Sequence, residues 1–171
     1  FEDVQVPAEN LLGDEGQGFK IAMKGLDGGR INIGTCSIGT AQAALNATHA
    51  YMAEREQFGK PLNKFQSLQF RMAELVSEVL AARQMVRLAA FKLDHDDAHA
   101  TVYCAIAKRL ASDAGFRISN ECLQMFGGYG YTKEYPLERH MRDARVHQIL
   151  EGTNQIMQLI VGRRFFQDDG A

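Results

Sequence analysis

Between residues 68 and 93 the apolar side chains of Leu68, Met72, Leu75, Val79, Ala82 and Val86 recur at alternating steps of four and three. That is the period of one face of an α-helix. A second run over 98–125 carries Val102, Ala105, Ile106, Leu110, Ala114, Ile118 and Leu123 in the same way. Stripes of this length are buried against other helices. Upstream, Phe19, Ala22, Met23 and Leu26, then Ile33, Ile38, Ala41, Leu45 and Met52, keep helical spacing. Shorter helices are predicted over 134–146 and over 154–166, the last with Ile156, Leu159, Ile160 and Phe165 apolar. Short turns separate the runs: a polar segment over 55–62, His95-Asp96-Asp97, and Gly127-Gly128-Tyr129-Gly130-Tyr131. The pattern predicts an all-α, up-down four-helix bundle, with Ala and Gly at many packing positions so that helices approach closely. Gly28-Gly29 costs a helix about 1 kcal/mol per residue relative to Ala. The pair therefore predicts either a kink or a need for bare backbone beside something bulky.

The first residues follow another period. Phe1, Val4 and Val6 stand against Asp3 and Gln5 before Pro7, as in a strand, and turn formers fill 10–16. Residues 1–14 thus read as the end of a preceding β-domain with its linker, and 15–171 as a separate helical domain. The 19 Lys and Arg against 21 Asp and Glu, a net charge of −2, give no general attraction for nucleic acid or anionic lipid. Purely apolar runs last only a few residues, far short of the ~20 that span a bilayer, so no membrane is expected as a partner. No signal peptide is visible. Cys36, Cys104 and Cys122 lack CxxC spacing and read as reduced core thiols. The five histidines predict no metal site. A soluble, globular, intracellular chain is expected.

Three polar features rise above the bundle. The stretch Phe126-Gly127-Gly128-Tyr129-Gly130-Tyr131 could cradle a phosphate, yet it fits no GxGxxG or Walker pattern and follows a helix, where Gly127 also serves as a plain C-cap. Arg55 and Gln57 stand in a turn where a guanidinium could grip a phosphate bidentately; a solvated arginine is the alternative. Glu151 lies between Ile149-Leu150 and Gly152-Thr153, a lone carboxylate at an apolar-to-glycine junction. Such a group can serve as a general base, and a helix-capping acid is the competing reading.

Several ordered segments together make the chain resemble the C-terminal helical domain of the flavin-dependent acyl-CoA dehydrogenases. They are Val6-Pro7 through Gly16-Gln17-Gly18-Phe19, Leu26-Asp27-Gly28-Gly29-Arg30, Arg55-Glu56-Gln57-Phe58-Gly59-Lys60-Pro61-Leu62 and Phe65-Gln66. Gln124 to Tyr131, Arg142-Asp143-Ala144-Arg145 and Leu150-Glu151-Gly152-Thr153-Asn154-Gln155-Ile156 complete the set. The resemblance covers essentially the whole chain. Residues 28–33 and 145–150 look most like the isobutyryl-CoA dehydrogenases, with butyryl- and 2-methylbutyryl-type enzymes as alternatives.

The resemblance implies a subunit with an N-terminal helical domain, a middle β-domain and this bundle, assembled as a homotetramer in the bacterial cytoplasm or mitochondrial matrix. It implies FAD as cofactor, a short branched acyl-CoA as substrate and an electron-transferring flavoprotein as acceptor. In that chemistry a carboxylate takes the α-proton of the thioester while a hydride leaves the β-carbon for the flavin. By resemblance Glu151 is the base and Gly152 leaves room for the thioester. Asp27 and Arg30 match positions lining the acyl-CoA channel, and Arg163 a position reaching the CoA end. Relatives that carry the base on the helix have it where Gly29 stands here. For FAD, Arg55, Glu56 and Gln57 match the pyrophosphate segment, and Phe65, Gln66, Gln124, Met125, Phe126, Gly127 and Gly128 match other contacts. Thr153, Asn154 and Gln155 match contacts beside the base, partly completed by a neighbouring subunit. Two alternatives stand outside this chemistry: a non-catalytic helical assembly module, and a flavin oxidase or nitroalkane-type relative that shares the bundle.

Overall fold

The computed structural model describes residues 1–167. Helix α1 (Gly18–Glu54) leads through strands β1 (Glu56–Gln57) and β2 (Lys60–Pro61) to α2 (Gln66–Asp94), α3 (Ala100–Phe126), α4 (Leu137–Val146) and α5 (Asn154–Gln167). The two longest predicted stripes became α2 and α3, with ends within a few residues of expectation. The three long helices pack on one another, α4 closes over α3 and α1, and α5 lies on α3. The all-α bundle is as expected; the predicted helical domain continues to residue 171, of which 168–171 lie outside the described residues.

Helix α3 runs through the middle. Its Cys104, Ala107, Ala111, Ala114 and Ile118 share one core with Ile38, Ala41 and Leu45 of α1 and Leu75, Val79 and Val86 of α2. Small residues set the spacing. A Cβ on Gly115 of α3 would lie 3.0 Å from the Ser37 carbonyl oxygen of α1. Alanine and glycine bury little area each, but bare backbones in contact keep the packing dense.

Helix α1 continues through Gly28-Gly29 without a break, which leaves the second of the two expectations, bare backbone. It applies to one glycine of the pair. A Cβ on Gly28 would meet nothing within 4 Å, whereas a Cβ on Gly29 would lie 2.5 Å from the Glu151 carboxylate.

Three local expectations are corrected. Residues 1–7 form no strand; among the described residues the one ladder is β1 with β2. A strand needs a neighbour for its N–H and C=O groups, and an alternating pattern supplies none. The polar segment 55–62 is a hairpin, with Glu56 opposite Pro61 and Gln57 opposite Lys60. Its central residues Phe58 and Gly59 have φ of 53° and 77°, the turn handedness that matches strand twist. Cys104 and Cys122 are buried, and burial pushes both thiols up to about 11. Cys36, however, is exposed: Ser37 and Ile38 are buried, and Cys36 falls on the other side of α1.

Candidate active site

Glu151 sits where the chain reverses between α4 and α5. After Val146, the N–H groups of residues 147–150 still donate to carbonyls of residues 144–146. Glu151 then takes φ 55° and Gly152 φ 90°. For a non-glycine residue the left-handed region costs about 1–2 kcal/mol. The Thr153 hydroxyl accepts the Ile156 N–H at 3.4 Å and so caps α5. The capping role is therefore filled by Thr153. The Glu151 side chain instead crosses to α1 and lies over the bare backbone of Gly29.

A buried polar network holds this turn. Lys108, fully buried on α3, donates to the Gly152 carbonyl at 2.8 Å and to Asn154 Oδ1 at 2.9 Å. Asn154 Nδ2 donates to Asp113 Oδ1 at 2.7 Å, and Gln148 Nε2 donates to the same oxygen at 2.7 Å. The Asn154 N–H reaches the Gln148 carbonyl at 3.0 Å. On the α4 side, His147 Nδ1 lies 2.9 Å from Ser37 Oγ, and burial holds this imidazole below its ordinary value. Asn154 thus spends its side chain within the protein, because a buried amide left unpaired is expensive.

Asp27 and Arg30, one turn apart on α1, form a buried ion pair at 2.7 Å. Thr101 Oγ1 donates to the second Asp27 oxygen at 2.6 Å. The guanidinium keeps one buried nitrogen, Nε, without a partner. Both side chains flank Gly29 in sequence, so the pair and the Glu151 carboxylate share one stretch of helix. Arg163 is exposed on α5.

Most of the remaining candidates divide between two clefts. Arg55, Gln57, Gln124, Met125, Phe126, Gly127 and Gly128 line one of about 500 Å³, with Tyr51 and Tyr129. Tyr51 stacks on Phe126 at 4.0 Å and Arg55 lies 5.5 Å from the Tyr129 ring centre, so aromatic faces support the wall. A Cβ on Gly127 or Gly128 would meet nothing within 4 Å, which leaves their backbone open to the cleft. Gly127 ends α3 as the expected cap residue, with φ 61° and ψ −141°, a conformation open essentially to glycine alone. Glu56, Phe65 and Gln66 are not among the lining residues; Phe65 precedes α2 and packs edge-on to Phe58. Thr153, Asn154 and Gln155 line a second, smaller cleft with Asp113, Arg145 and Gln148.

An Arg side chain, two amides and bare glycine backbone suit a pyrophosphate. The sequence reading missed Lys108, Asp113, Gln148 and the Ser37–His147 contact. One signal for Lys108 existed: it stands in line with Cys104, Ala111 and Gly115 on the buried stripe of α3, where a charge is out of place. His95 and His99 stand four apart around the α2–α3 turn, but among the described residues no group of three His, Cys, Asp or Glu could hold a metal. No helix there is long and apolar enough to cross a membrane.

Residues 16–166 match the family model described as acyl-CoA dehydrogenase, C-terminal domain. The chain is 52% identical over 169 residues to the mitochondrial isobutyryl-CoA dehydrogenase of Dictyostelium discoideum, covering 99% of this chain and 41% of that protein. It superposes with a TM-score of 0.94 and 51% identity on butyryl-CoA dehydrogenase from Megasphaera elsdenii, covering 97% of this chain and 43% of the other. A chain in the structure "Electron transferring flavoprotein of Acidaminococcus fermentans: Towards a mechanism of flavin-based electron bifurcation" gives a TM-score of 0.95 at 48% identity, covering 98% of this chain and 44% of that one. The chain thus spans about two fifths of the length of the relatives it matches.

Proposed function

We propose, from the premise that the chain belongs to the acyl-CoA dehydrogenase family as its C-terminal domain, that it carries the base of an enzyme that dehydrogenates a short, branched acyl-CoA between its α and β carbons. The observation that carries the reading is the Glu151 carboxylate, held by a left-handed turn over the bare backbone of Gly29 on α1. A carboxylate so placed takes the α-proton; the C–H bonding pair becomes part of the new α,β double bond. FAD, when bound, accepts the hydride that leaves the β-carbon. Arg55, Gln57, Gln124 and the Gly127-Gly128 backbone are proposed to hold its pyrophosphate, with Glu56, Phe65, Gln66, Met125 and Phe126 supporting that wall. Thr153 and Gln155 meet the flavin side next to the base. Asp27 and Arg30 form the floor under the thioester, Gly152 leaves it room, and Arg163 reaches toward CoA. Residues 1–14 end a β-domain and linker, and the bundle begins at residue 15.

The whole enzyme is proposed to be a homotetramer that passes electrons to an electron-transferring flavoprotein, in the mitochondrial matrix or bacterial cytoplasm. The mitochondrial relative and the electron-transferring flavoprotein structure above support the compartment and the acceptor, and the exposed Phe70, Leu80, Leu88 and Phe91 along α2 suit coverage by other subunits. Isobutyryl-CoA is the proposed substrate. Butyryl-CoA is the second reading, favoured by the 51% identity to butyryl-CoA dehydrogenase. The test is anaerobic flavin bleaching by a panel of acyl-CoA esters in the FAD-loaded enzyme. Isobutyryl-CoA should give a higher kcat/KM than octanoyl-CoA, and close short substrates should keep partial activity, since one methylene discriminates by about 1–3 kcal/mol. A peak at long chains rejects the substrate, and no bleaching by any ester favours the assembly module.

Gly29→Ala separates packing from function. A methyl at that position collides with the carboxylate, the free end of a flexible side chain, so Glu151 moves rather than α1. Alanine also favours the helix by about 1 kcal/mol. Tm should hold or rise while the rate of flavin reduction falls roughly tenfold or more, because misplacing a reacting group by about 1 Å is costly. Thermal melts and stopped-flow traces of the same sample check both halves.

A further inference from the structure

We propose that Lys108 is the positioning residue for Glu151, acting through the Gly152 carbonyl; the proposal rests on the reading of Glu151 as the base. The turn that carries Glu151 adopts a backbone conformation that a non-glycine residue disfavours, and such a conformation persists only where the surroundings over-determine it. Neither flanking helix does so directly. The last turn of α4 closes on residues 147–150, α5 starts from the Thr153 cap, and the Asn154 N–H reaches back across the turn to the Gln148 carbonyl at 3.0 Å, but none of these bonds is made by the Glu151 or Gly152 peptide groups themselves. The group that grips the pair is the Lys108 ammonium. It joins the carbonyl immediately after the base to Asn154, the first residue of α5, with bonds of 2.8 and 2.9 Å. Lys108 belongs to α3, and α3 is locked to α1 at the Gly115–Ser37 contact. The carboxylate and the bare backbone it lies over are therefore referenced to one rigid helix pair.

A fully buried ammonium is costly and needs partners, which makes filler a poor account of this side chain. The charged and titratable groups facing it are Arg30 from α1, Asp113 on α3 itself, and Glu151 and His147 from the turn between α4 and α5. Burial outweighs the two carboxylates and brings Lys108 down to about 8. Below that pH the ammonium makes charge-assisted hydrogen bonds, roughly twice as strong as neutral ones. Above it, a neutral amine holds the same two oxygens weakly, and the turn loosens.

The experiment uses the FAD-loaded enzyme that contains this chain. Lys108→Met keeps length and removes every donor. The limiting rate of flavin reduction at saturating isobutyryl-CoA should fall on the order of 100-fold. KM, FAD content and the Kd of the enoyl-CoA product should stay within about threefold, since uniform binding is untouched. The parent's limiting rate should decline through a midpoint near pH 8, and this limb should vanish in Lys108→Met. If Lys108→Met fails to fold, Lys108→Gln, which keeps a donor but loses the charge and the reach to both oxygens, decides: a limiting rate close to the parent's overturns the proposal. A Lys108→Met rate close to the parent's, or a raised KM at unchanged limiting rate, also overturns it. Glu151→Gln is run alongside. If it reduces flavin like the parent, the base assignment has failed; if it is inactive while Lys108→Met is normal, only the positioning role has.

Discussion

Glu151→Gln in the FAD-loaded enzyme should slow substrate-driven flavin bleaching by about 10²–10⁴-fold, the usual contribution of a positioned general base. Glutamine keeps the shape of the side chain over Gly29 but has no lone pair basic enough to take a carbon-bound proton. Among the described residues the side-chain bonds that hold this turn are made by Lys108, Gln148, Asn154 and Thr153, not by the Glu151 carboxylate, and Thr153 caps α5. Tm and acyl-CoA binding should therefore remain near the parent values, and the effect should fall almost wholly on the chemical step. Stopped-flow absorbance with isobutyryl-CoA, beside a binding titration of the same ester, measures the two quantities separately. Bleaching within tenfold of the parent would falsify the assignment.

Gly130→Ala should give the largest loss of stability among single methyl additions at the cleft. A Cβ there would stand 2.5 Å from the Leu123 carbonyl oxygen and 2.8 Å from the Phe126 Cβ, both part of the last turn of α3. Backbone cannot swing aside as the end of a side chain can, so the Gly127–Tyr131 turn must lift from the helix it closes. Overpacking of this kind costs about 1–3 kcal/mol. At about 2–4 °C per kcal/mol for a chain of this size, Tm should drop by roughly 2–12 °C. The same turn presents Gly127 and Gly128 to the cleft, so FAD retention on gel filtration should fall as well. Gly128→Ala is the control for the steric argument. Its Cβ would meet nothing within 4 Å, so its Tm should shift by no more than about 0.5 kcal/mol would produce. Equal melts for the two variants would refute the packing account.

Both predictions depend on residues whose significance has different origins. Glu151 stood out in the sequence because a lone carboxylate between apolar residues and glycine is uncommon, and its family resemblance named the role. Gly130 did not stand out: it shares a run with Gly127 and Gly128, and only the positions of Leu123 and Phe126 distinguish a glycine that packs from glycines that stay open. The hairpin at Phe58-Gly59 was hidden for a related reason. A phenylalanine with positive φ is not a turn signal, and the pairing of Glu56 with Pro61 supplies the constraint that makes it one. Lys108 looked like one more charge on a helix until the turn around Gly152 closed over it.

What the sequence determined by itself is the set of long helices and the all-α class, because hydrophobic period is a local property that burial then enforces. Leu75, Val79 and Val86 of α2 and Ala114 and Ile118 of α3 lie in the core where their spacing puts them. What the tertiary structure alone decided is which of two readings each polar or glycine position follows. Gly29 is bare to admit a carboxylate, whereas Gly28 has open space. Glu151 crosses to Gly29 of α1, while Thr153 caps α5. Asn154 faces the protein because Lys108 and Asp113 claim its amide. Each choice is set by a partner far away in the chain, and the energy of a contact depends on distance in space, which period and spacing along one segment do not encode.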